Sequence, residues 1–167
     1  MPRQEVIRKA RQDKRAGKSA STQAGEFVKD QIDKIRKGRH GARSTKQAIA
    51  IGLSEARRAG VDLPPPRKGR TKKSTRRSAK YAYEAGQGKR TPKRRPKVSR
   101  AVENVLKKEP RSTASRKALS KQAKSAATRR SAASRSAAAR KASRTKGAKA
   151  RSAAAKKAAR TRARRRT

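Results

Sequence analysis

The chain has 167 residues, with 54 Lys plus Arg against 10 Asp plus Glu and a formal net charge of +44. In a compact body of this size so many like charges repel by more than a small core offsets, which implies extension or a polyanionic partner. There is no Cys, which excludes a disulfide framework and a Cys-ligated zinc site. No stretch approaches the roughly 18 apolar residues of a membrane span, and Met1-Pro2-Arg3-Gln4-Glu5 has no apolar signal core behind it. The expectation is a soluble protein that stays where it is made, with no membrane partner.

Charge and apolar content divide the chain into three zones. Residues 1–63 hold 16 basic and 7 acidic residues and most of the large aliphatic side chains, so this zone is expected to build the core as a small helical domain. Residues 64–110 open on Pro64-Pro65-Pro66, hold 17 basic and 3 acidic residues, and are punctuated by Pro92, Pro96 and Pro110. They read as a basic linker. Residues 111–167 hold 21 basic residues and no acid, and 54 of the 57 are Lys, Arg, Ala, Ser or Thr, a low-complexity tail.

Three helices are predicted in the first zone. Over 3–16, Val6, Ile7 and Ala10 share a side and Gly17 stops the run. From about Thr22 to Arg36, Val28, Ile32 and Ile35 form an apolar stripe beside Ala24 and Phe27, and Gly38 closes the helix. Glu26, Asp30 and Asp33 then fall on the opposite, exposed face, where pairs such as Asp30 with Lys34 and Asp33 with Lys37 support the helix. The third helix starts at the capping box Ser44-Thr45-Lys46-Gln47, carries Ile49, Leu53 and Ala56 on one stripe, and ends at Gly60 before Pro64. Ile51 points away from that stripe. The connection Lys37 to Arg43 admits a helix-turn-helix reading, but it exceeds the 3–4-residue turn of that motif, so a plain helical hairpin also fits.

In the linker, Val102, Val105 and Leu106 make a short amphipathic helix near 99–109, capped by Ser99 and ended by Pro110, which either docks on the N-terminal helices or stays exposed as a partner-binding patch. In the tail, Arg-Ser-Ala-Ala occurs at 130, 135 and 151 as a degenerate repeat. Ala, Arg and Lys favour helix, yet no apolar stripe is present to pack and like charges repel. The expected fold class is therefore mainly α: a small N-terminal helical domain of two or three short helices, then a long disordered or conditionally helical basic tail that gains helix on binding a polyanion.

An acid-free run of this length points to nucleic acid, and 44 net charges balance at most about 22 base pairs of duplex. The candidate contacts are Arg39, Arg43 and Lys46 around the loop and start of the third helix; Arg67, Lys68, Arg70, Lys72, Lys73, Arg76, Arg77, Lys93, Arg94 and Arg95 in the linker; and Arg129, Arg130, Arg135, Arg140, Lys141, Arg151, Lys156, Lys157, Arg164, Arg165 and Arg166 in the tail. The loop sits ahead of a helix N-terminus, where amides and dipole favour phosphate. Base-specific reading has little support, since stacking side chains are limited to Tyr81, Tyr83 and Phe27. Lys89 to Lys97 would also serve as a nuclear import signal in a nucleated cell.

Catalysis is not expected. His40 is the only His, and the acids are scattered apart from Glu26, Asp30 and Asp33, whose neighbouring Lys residues make helix support the ordinary reading and metal binding the exceptional one. No cofactor, metal or small-molecule substrate is anticipated.

Residues 44–60, Ser-Thr-Lys-Gln-Ala-Ile-Ala-Ile-Gly-Leu-Ser-Glu-Ala-Arg-Arg-Ala-Gly, resemble the signature of small basic bacterial and phage proteins that form a domain of unknown function, the likeness extending over about 23–66. The tail resembles those of linker-histone-like bacterial nucleoid proteins, and Thr91-Pro92-Lys93-Arg94 is similar to the Ser/Thr-Pro-basic-basic element of linker histones. These resemblances imply a cytoplasmic, nucleoid-associated location, nuclear in a eukaryote, and no catalytic residue. The expected function is sequence-tolerant binding of double-stranded DNA in a compaction or architectural role. An RNA-binding or ribosome-associated protein uses the same charges, and a protein–protein adaptor would recognise a partner, or self-associate, through residues 22–59 with the tail as anchor.

Overall fold

Ser44 starts the helix around which the first part of the chain is assembled. Its hydroxyl accepts the Gln47 amide at 3.2 Å, and the Gln47 side-chain oxygen accepts the Arg43 amide at 2.7 Å, so the reciprocal half of the capping box closes one residue earlier than expected. The computed structural model describes residues 3–92, 95–145 and 147–164. Helices fill this span: α1 (Gln4–Arg15), α2 (Ala20–Arg36), α3 (Thr45–Arg58), α4 (Lys73–Gly86), α5 (Pro96–Lys108), a 3-10 turn (Ser112–Ala114), α6 (Arg116–Thr128), α7 (Ala132–Thr145) and α8 (Ala148–Ala163). The chain divides into two compact units, Met1–Gln122 and Ala123–Thr167.

In the first unit α2 packs against α1 and α3, and α3 packs against α4. Gly38 (φ +73°) and Gly60 (φ +87°) end α2 and α3 in the left-handed conformation. The side of α3 that is most buried is Ala48, Gly52 and Ala56, with Ile49, Ile51 and Leu53 half-buried. Small residues win this face because α2 lies so close: a Cβ on Gly52 would sit 2.7 Å from the Val28 Cα. Two apolar clusters result. Val6, Ala10, Ala24, Phe27, Ala56 and Val61 form one, and Ile32, Ile35, Ala42, Ala48 and Ala114 form the other. Phe27 and Ile35 are fully buried, each stabilising the fold by roughly 1.5–3 kcal/mol.

Asp30 departs from its expected exposed position. α1 packs over that side of α2, and Asp30 is buried between Arg3, whose Nε donates to Oδ1 at 2.7 Å, and Lys34, whose Nζ lies 2.8 Å from Oδ2. Burial pushes the carboxyl up, but the bonds from Lys34 and Arg3 outweigh it and hold Asp30 below the ordinary carboxylate value.

The expectation of a long disordered tail behind a two- or three-helix domain is overturned. Eight α-helices run through the described residues, and the tail contributes to the core itself. Ala114 is fully buried in the second cluster, with Leu119 of α6 packed beside it. Arg36 Nε donates to the Ala114 carbonyl at 2.9 Å and Thr45 Oγ1 to the Thr113 carbonyl at 2.7 Å. Further along, Ser115 caps α6 through the Ala118 amide and Ser131 caps α7 through the Ser134 amide, both at 3.2 Å. Six of the 14 residues of α7 are Ala. Local propensity and capping outweigh like-charge repulsion here, and no apolar stripe is needed. In the second unit Gly147 separates α7 from α8, and the Arg151 guanidinium donates to the Ser143 hydroxyl.

Candidate nucleic-acid interface

The segment read as a linker contains a helix with two unlike faces. On α4, Ala79 and Ala82 are buried and Gly86 lies so close to the Arg57 carbonyl oxygen that a Cβ would collide with it, so this side packs on α3. At 100° per residue, Lys73, Arg76, Arg77 and Lys80 gather within about 100° on the other side, and all four are exposed. Arg67, Lys68, Arg70 and Lys72, also exposed, lead into the helix. The one acid on that face, Glu84, is engaged by Lys80 at 3.6 Å and Arg90 at 3.3 Å. The fold thus holds a cationic ridge at fixed spacing. Lys80 was missing from the sequence candidates; the step of seven residues from Lys73 would have revealed it once a helix was assigned here.

The remaining candidates lie on several separate elements. Arg39, Arg43 and Lys46 are exposed around the loop and first turn of α3. α3 cannot serve as a free recognition helix, because α2 and α4 cover it and leave only Lys46, Ala50 and Arg58 exposed. The loop is likewise tied down: the Gly41 amide donates to the Leu106 carbonyl at 2.7 Å and the Ala42 amide to the Pro110 carbonyl at 3.2 Å. His40 belongs to this packing, with Nδ1 2.9 Å from the Gly41 oxygen and Nε2 3.1 Å from Gln31 Oε1. Arg95 is exposed ahead of α5.

In the tail, Arg129, Arg130, Arg135, Arg140, Lys141, Arg151, Lys156, Lys157 and Arg164 are exposed. On α8 they spread around the helix, Arg151 and Arg162 on one side and Lys156, Lys157, Arg160 and Arg164 on the other. Lys93, Arg94, Arg165 and Arg166 lie outside the described residues.

Other cations serve the fold. Arg57 is buried, its Nε donating to the Leu63 carbonyl at 3.0 Å and its Nη2 reaching the Pro64 carbonyl at 3.4 Å, and burial pushes its pKa down. The three aromatic side chains are occupied as well. Phe27 is in the core, Tyr83 donates to Asp62 Oδ1 at 2.7 Å, and the Arg90 guanidinium lies 5.1 Å from the Tyr81 ring centre. The hydrogen bond to Asp62 and partial burial raise the Tyr83 pKa. Among the described residues no group of three or more His, Cys, Asp or Glu is placed to hold a metal ion, and no helix is long and apolar enough to cross a membrane.

The sequence profile of a family of unknown function (DUF6496) matches residues 11–68. The matched stretch takes in the last five residues of α1, all of α2 and α3, and the start of the run leading to α4. No curated protein and no solved structure matches the chain.

Proposed function

We propose that this protein binds double-stranded DNA without strong sequence preference, in a compacting or architectural role, and that it is not an enzyme. The observation that carries this reading is the combination of the α4 ridge with helices α6 to α8, on which no acid offsets the exposed Lys and Arg. Neutralising phosphates releases condensed counterions, and this term supplies nearly all of the affinity in sequence-tolerant binding. The state of the aromatic residues favours duplex over single strands, since unpaired bases are held chiefly by stacking and Phe27, Tyr81 and Tyr83 are all engaged. Helical carriers favour DNA over RNA duplex: the major groove of B-DNA admits an α-helix, whereas that of A-form RNA is too narrow.

The test is affinity against salt for a duplex of about 30 base pairs, beside the same sequence as RNA duplex and as single strand. With ten phosphate contacts, log K falls against log salt with a slope of about −9. A slope shallower than about −3 contradicts the electrostatic account. Tighter binding of either RNA form at equal salt moves the function to RNA. Sequencing of nucleic acid crosslinked to the protein in cells makes the same choice in vivo.

A further inference from the structure

Among the described residues, the exposed large apolar side chains fall on helix α5 in a single line. Val98, Val102 and Val105 are 55%, 52% and 58% exposed, and at 100° per residue they share an arc of about 100° with Ala101. No residue of α5 is buried. A 13-residue helix of this kind is marginal by itself, yet its end is fixed, because the Leu106 and Pro110 carbonyls bond the Gly41 and Ala42 amides and Gly41 leaves no room for a Cβ against the Glu109 carbonyl. The fold therefore presents this stripe at a set place and leaves it uncovered.

The border of the stripe identifies what covers it. Lys97 and Lys108 flank it on one side and half-buried Leu106 on the other, half-buried Glu109 closes its C-terminal end, and Glu103 lies round the back, 3.0 Å from Lys107. We infer that α5 docks an amphipathic helix from an acidic protein, whose apolar stripe covers Val98, Val102 and Val105 and whose flanking Asp or Glu side chains meet Lys97 and Lys108. A second copy of this chain would set Lys97 and Lys108 against their own kind in a molecule of net charge +44. Duplex phosphates leave valines wet. Helices that lie in anionic bilayers anchor through Trp, Phe or Leu, and this stripe has only Val and Ala. The assignment is independent of the DNA reading.

The experiment uses the full chain, freed of nucleic acid, and a fluorescein-labelled peptide of about 20 residues with a Leu stripe flanked by Glu, beside a scrambled peptide of identical composition. Anisotropy is read at about 0.15 M salt, where distant charges are screened. The ordered peptide binds at least tenfold tighter than the scrambled one, and Val102→Ser with Val105→Ser removes that difference while leaving the scrambled peptide's affinity and the helical circular dichroism unchanged. Equal affinity for the two peptides overturns the proposal, and so does a preference that survives the valine changes. Binding to phosphatidylserine vesicles, or dimerisation in sedimentation, that is lost in the valine variant overturns it in favour of a bilayer or a second copy. In cells, a photo-crosslinking residue at position 102 captures an acidic amphipathic segment, and capture of nucleic acid or lipid alone counts against the proposal.

Discussion

Arg36 reaches across 78 residues of sequence to donate to the Ala114 carbonyl, and by this bond α2 holds the turn from which the acid-free helices begin. Together with Thr45 and the Thr113 carbonyl, it fixes a backbone segment that composition alone would leave loose. Arg36→Met leaves a partly buried carbonyl without its donor and costs about 1–2 kcal/mol in urea unfolding. Hydrogen exchange over 114–119 accelerates, while exchange in α1 stays as it was.

Two glycines in neighbouring helices respond oppositely to the same change. Gly25 in α2 has open space where a Cβ would stand, so Gly25→Ala adds helix propensity and stabilises by up to about 1 kcal/mol. At Gly52 the new Cβ meets the Val28 backbone at 2.7 and 2.9 Å, which forces α2 and α3 apart, and Gly52→Ala destabilises by about 1–3 kcal/mol. Thermal melts of the two variants shift in opposite directions.

Asp30 sets an acid limit on stability. Its folded-state pKa lies below the ordinary 3.8, so the folded chain binds this proton less readily than the unfolded chain. The stabilisation is fully present above that ordinary value and is lost as pH falls through the lower folded value. Lys34→Met removes one of the two bonds that outweigh burial. It costs about 1–3 kcal/mol at neutral pH and flattens the fall in stability between about pH 4 and 2, measured by denaturant midpoints across that range.

The α4 ridge and the fold-bound cations separate in a salt titration. If Arg76 and Arg77 each neutralise one phosphate, Arg76→Ala with Arg77→Ala makes the salt slope shallower by about 1.8 and weakens all duplex sequences about equally. Arg57→Met, a buried residue facing the Leu63 and Pro64 carbonyls, lowers stability and leaves the slope unchanged.

Legibility in the sequence followed the kind of signal each element carries. Ser44 with Gln47, and Gly38 and Gly60 after apolar stripes, mark α2 and α3 because caps and large side chains act locally. α4 was unreadable by the same rule: its packing side is Ala79, Ala82 and Gly86, small residues that gain their place only when α3 is beside them. Asp30 looked exposed because its own helix shows nothing of α1 lying over it. The tail helices were concealed by weighing charge above the propensity of Ala, and the ridge at Lys73 to Lys80 stayed scattered as long as no helix joined it. The exposed valines of α5 were visible as a pattern, whereas the anchoring of α5 through Gly41 needed the loop geometry.

The burial of Ala114 makes the root of the cationic region a piece of the core. A truncation at Pro110 would strip a side chain from between Ile35 and Ala48 and release Arg36 and Thr45 from their carbonyls, so lost binding in such a fragment would report damage as well as missing charge. A cut after Gln122 keeps that plug and removes only the second unit. If α6 binds a polyanion, a pull on that helix arrives first at Ala114, which is packed in one cluster with Ile35 of α2 and Ala48 of α3.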